Sequence, residues 1–73
     1  MPKKIRELKS ILLKAGFIFE PAKGSHSKWK HPKLRQAIII AGKDGNDAKL
    51  YLEKLVNETL EALRQIEAEE TEP

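Results

Sequence analysis

Apolar residues near the start of the chain recur at steps of three and four. Ile5, Leu8, Leu12 and Ala15 therefore stack on one face of a helix, and Ile11 widens the stripe. Lys4, Glu7, Lys9 and Lys14 fall mostly outside it, so the spacing predicts a helix over about residues 3–15. Pro2 is tolerated at its start, where backbone N–H groups have no helical acceptor, and Gly16 is placed to end it. The period then changes. Phe17-Ile18-Phe19 has strand composition, and Pro21 is expected to cut that strand short. Ala22-Lys23-Gly24 reads as a turn. From Ser25 to His31 a second strand places His26, Lys28 and Lys30 on one side and Ser27, Trp29 and His31 on the other. His31-Pro32-Lys33 is a turn signal, and the β-branched run in Gln36 to Ala41 predicts a third, well-covered strand. Gly42-Lys43-Asp44-Gly45-Asn46 is the clearest loop.

Asn46 or Asp47 is expected to cap a second helix over about residues 48–67. Its apolar stripe is Leu52, Leu55, Val56, Thr59, Leu63 and Ile66, with Tyr51 and Leu60 at the edges. The order α-β-β-β-α predicts an α+β fold: a three-stranded antiparallel sheet with both helices on one face and the other face open. One domain is expected over 1–67, followed by an acidic, frayed tail over 68–73.

Seventy-three residues leave room for a single thin core. The chain has no cysteine, so disulfides and thiolate metal sites are excluded. No continuous apolar stretch fits a signal peptide or a membrane span, so a soluble, cytoplasmic protein without membrane contact is expected. Charge changes the picture more. Residues 1–35 carry ten basic against two acidic side chains, a balance of +8, whereas residues 36–73 carry four against nine, a balance of −5. A basic half calls for a polyanionic partner, with nucleic acid the first candidate, although lysines also serve plain solubility.

The candidate chemistry lies in Gly24-Ser25-His26-Ser27-Lys28-Trp29-Lys30. A glycine turns the chain just before a strand that presents an imidazole, with lysines following on the same face at steps of about 7 Å. Imidazole can take the proton of a ribose 2′-hydroxyl or return one to a leaving oxygen, while lysines hold phosphate and offset developing charge. RNA supplies its own nucleophile, so no metal or cofactor is required. Against this stands the commoner case of a surface histidine beside solvated lysines. Motifs for a zinc deaminase, a Walker loop or a nucleophile elbow are missing, and the two histidines point to opposite faces. Trp29, Phe17 and Phe19 read as packing residues, His31 as structural or exposed; the role of Tyr51 is undecided.

A basic amphipathic helix ending in Ala15-Gly16-Phe17, followed by Lys23-Gly24-Ser25-His26-Ser27, closely resembles the HicA family of bacterial toxins. The resemblance covers about the first thirty residues well, and its most specific part is Gly24-Ser25-His26. It implies a small mRNA interferase with a fold like the double-stranded-RNA-binding domain, metal-independent cleavage, and inhibition by a HicB antitoxin that covers the histidine. The family's essential histidine maps onto His26. The proline- and histidine-containing stretch that many members carry before the second helix is replaced here by Ala41-Gly42-Lys43-Asp44-Gly45. The expected site is then His26 as the catalytic group, with Lys23, Gly24, Ser25, Ser27, Lys28 and Lys30 binding RNA. Two other classes fit the same features: a non-catalytic RNA-binding module of the same fold, and a protein-interaction domain whose basic face binds an acidic partner.

Overall fold

Helix, three strands and helix follow one another in the expected order in the computed structural model, which describes residues 3–71: α1 (Ile5–Lys14), β1 (Ile18–Pro21), β2 (His26–Lys30), β3 (Ile38–Ala41) and α2 (Leu50–Thr71). Pro2, Glu72 and Pro73 lie outside the described residues, and with them the expected role of Pro2 and the end of the expected tail.

Helix α1 stops because Gly16 enters positive φ (+93°). The Phe17 amide then reaches back to the Leu12 carbonyl (3.0 Å) and the Gly16 amide to that of Leu13 (3.1 Å), which is the Schellman arrangement. Phe17 and Leu12 are both buried, so the apolar contact that accompanies this motif is present. At the other end, Ile5 and Arg6 donate their N–H groups to the carbonyls of Asn46 (2.9 Å) and Asp44 (3.2 Å). The loop after β3 thereby satisfies two of the orphan donors of α1.

The strands pair in the order β1-β2-β3, both pairs antiparallel. Strand β1 starts one residue later than its composition suggests, because Phe17 is held by the helix end, and it runs through Pro21 rather than stopping before it. A proline is tolerated at the end of an edge strand, where the missing N–H breaks no interior ladder. Trp29, Ile38 and Ile40 are buried in one cluster with Ile5, Leu8 and Leu12 of α1 and Leu52, Val56 and Leu63 of α2. Both helices therefore cover the same face of the sheet, as expected.

Helix α2 departs from expectation at both ends. The amides of Leu52 and Glu53 donate to the Lys49 carbonyl (2.9 and 3.2 Å), so the helix begins at Leu50 and neither Asn46 nor Asp47 caps it. Both are spent on α1 instead: Asn46 through its carbonyl, Asp47 through an ion pair with Lys4 (2.6 Å). Four residues beyond 67 continue the helix. There Lys33, from the loop after β2, meets Glu70 at 2.6 Å and Glu67 at 3.6 Å. Its hydrogen bond to Glu70 raises the Lys33 pKa above the ordinary lysine value. Among the described residues, no helix is long and apolar enough to cross a membrane.

Candidate active site

His26 is the first residue of β2 and its side chain is exposed. The turn before it is closed by the His26 N–H, which donates to the Lys23 carbonyl at 3.1 Å. Gly24 at φ +61° occupies the first central position, and Ser25 does not take positive φ, which is the φ pattern of a type II′ hairpin turn. Only glycine enters that position without strain. The same carbonyl lies 3.2 Å from His26 Nδ1. A carbonyl only accepts, so in the neutral ring this contact places the proton on Nδ1 and leaves Nε2 with its lone pair.

The alternation in β2 holds as expected. Trp29 is buried on the helix side, while His26, Lys28 and Lys30 lie on the open face. Lys30 shares its charge with Glu20 on β1 (3.2 Å). Lys28, half-buried between Glu20 and Ile39 in the register, forms no ion pair among the described residues. Lys23 is exposed in the turn. Gly24, Ser25 and His26 line a groove of about 370 Å³, together with Lys9 from α1 and Lys43 and Asp44 from the loop after β3. Lys9 and Asp44 hold each other across that groove at 2.6 Å.

Ser27 and Phe19 sit otherwise than expected, and the two-way reading of His31 is decided. Ser27 is 2% exposed and faces the core; its hydroxyl donates to the Ile40 carbonyl (3.3 Å) and accepts from Trp29 Nε1 (2.9 Å). The hydroxyl is thus bonded on the core side, while the residue still lines the His26 groove. Phe19 is 49% exposed instead of packed away. His31 is buried and structural: its ring meets Phe17 edge-on with centroids 5.1 Å apart, and its Nδ1 accepts the Lys33 N–H at 3.1 Å. Tyr51 lines another depression with Ile5, Ala41 and Asn46, which meets the His26 groove at Gly42. Lys43 and Asp44 had no local signal, since only the tertiary approach of residues 42–44 to the glycine turn brings them there. No group of three or more His, Cys, Asp or Glu side chains that could hold a metal ion occurs among the described residues.

Residues 5–67 match the family model described as HicA toxin of bacterial toxin-antitoxin, a match that spans α1, the whole sheet and all but the last four residues of α2. The α+β domain with its exposed histidine is thus a toxin of the bacterial toxin–antitoxin class. The chain belongs to the HicA toxin family, whose members are generally ribonucleases. No curated protein and no solved structure matches the chain.

Proposed function

We propose that this toxin is a metal-independent endoribonuclease that cuts mRNA in the cytoplasm through His26 and is silenced by a HicB-like antitoxin covering that histidine. The observation that carries the reading is the state of His26: exposed, with Nδ1 tied back to Lys23 and Nε2 left to accept a proton. In the proposed step, Nε2 takes the proton of a 2′-hydroxyl and the 2′-oxygen attacks the adjacent phosphorus. The bond to the 5′-oxygen breaks, and that oxygen takes a proton from Lys28, which lies on the same face and forms no ion pair among the described residues. The products are a 2′,3′-cyclic phosphate and a 5′-hydroxyl. Lys23 and Lys28 hold the phosphates, with Lys30 sharing that work with its ion pair to Glu20; Gly24 and Ser25 let the backbone of the turn approach the RNA. A fold like the double-stranded-RNA-binding domain agrees with the helix–sheet–helix order.

The test is a cleavage assay on a defined mRNA with EDTA present, comparing wild type with His26→Ala shown to be folded by circular dichroism. Cutting by the wild type alone, with a cyclic phosphate end, supports the reading. A 5′-phosphate product, or equal cutting by both proteins, sinks it. If neither protein cuts while both bind RNA, the non-catalytic module is the better account.

A further inference from the structure

We propose that Phe19 is a nucleobase platform, on which an unpaired base of the bound RNA stacks; this rests on the RNA-cutting reading above. Phe19 sits on the edge strand β1, opposite Trp29 in the register, and their ring centroids are 5.3 Å apart. Trp29 is buried, so it fixes one side of the Phe19 ring and leaves the rest to solvent. Beside it runs a groove of about 430 Å³, with Arg6, Lys9, Ser10 and Leu13 of α1 along one wall and Phe19 and Trp29 along the other. That volume falls within the range of small-molecule sites, roughly 300–1,000 Å³.

Two features single out a nucleotide as the occupant. The groove shares Lys9, Phe19 and Asp44 with the groove of His26, so one strand of RNA can run through both. Its rim carries Arg6 and the Lys9–Asp44 ion pair while its floor is aromatic and aliphatic, since Leu13 is as exposed as Phe19. A basic track beside a free aromatic face is the usual pattern for unpaired nucleotides, each stack being worth about 1–3 kcal/mol on alanine substitution. Arg6, which forms no ion pair among the described residues, would engage phosphate, and the Ser10 hydroxyl offers the base edge a polar contact.

The test uses full-length protein and a short fluorescein-labelled 2′-O-methyl RNA, which binds but cannot be cut. Binding is followed by anisotropy for wild type, Phe19→Ala, Phe19→Leu and Phe19→Tyr. Alanine and leucine should each weaken binding by roughly tenfold or more, and tyrosine should retain affinity. The salt dependence should not change, because no phosphate contact is lost. An RNA carrying an abasic site at the stacked position should bind the wild type about as weakly as it binds Phe19→Leu. Leucine keeps apolar bulk against Trp29, so it decides the matter should alanine loosen the sheet. Equal affinity of wild type and Phe19→Leu overturns the platform while leaving the ribonuclease reading intact, as does a loss confined to binding of the antitoxin. Failure of the wild type to bind RNA at low salt overturns both.

Discussion

Ser27 and His26 are adjacent in sequence and serve opposite sides of the sheet. The Ser27 hydroxyl is the acceptor for Trp29 Nε1, and it donates to the Ile40 carbonyl in a region with no water access. Replacing it with alanine leaves an indole N–H buried without an acceptor, which costs about 1–3 kcal/mol. Ser27→Ala should therefore lower the denaturation midpoint clearly, while the folded protein binds RNA as the wild type does; an RNA defect at full stability would return Ser27 to the site. Period-two alternation made this division legible, since it separates residue 27 from residue 26 whatever the fold. Reading Gly24 to Ser27 as one contiguous motif hides it. The exposure of Phe19 was not legible, because a phenylalanine in a strand looks alike whether α1 covers it or stops short of the edge.

At the scale of elements, the local pattern carried most of the information. Helical spacing located α1 and the core face of α2, and the β-branched run located β3, because each depends on which face is buried. The caps of α2 were not legible. Asn46 and Asp47 are good cap residues, but their carbonyl and carboxylate bond to α1, more than forty residues back, and such tertiary partners leave no trace in a local window. Gly16 is the opposite case. It needs positive φ to close the Schellman turn, and an added Cβ would come within 3.3 Å of His31 Nε2. Gly16→Ala should cost about 1–2 kcal/mol in urea denaturation from the left-handed backbone alone, with further loss from displacing the His31 ring. An unchanged midpoint would mean that the helix end can relax. The Gly16-Phe17 pair behind the family resemblance thus works in folding, on the far side of α1 from any chemistry.

For the whole molecule, the charge division between the halves of the sequence becomes a division of surfaces in only one part. Lys4 and Lys9 meet Asp47 and Asp44, and Lys33 meets Glu67 and Glu70, so three of the ten basic side chains of the first half are paired with the second. Lys28 keeps its charge on the open face. Lys28→Ala should reduce the steepness of log K against log salt for single-stranded RNA by roughly 0.7, the share of one phosphate contact; Lys33→Ala should leave it unchanged. Titrating both variants across a salt series decides whether the open face is where RNA lies. The loop that closes the His26 groove is bonded to the first turn of α1, and Ala48 donates its amide to the Lys3 carbonyl at 2.7 Å. Synthesis runs from amino to carboxyl end, so the wall containing Lys43 and Asp44 leaves the ribosome after His26. A nascent chain that has exposed only α1 and the first two strands holds the histidine without its groove. His26 thus leaves the ribosome before the wall of its groove does.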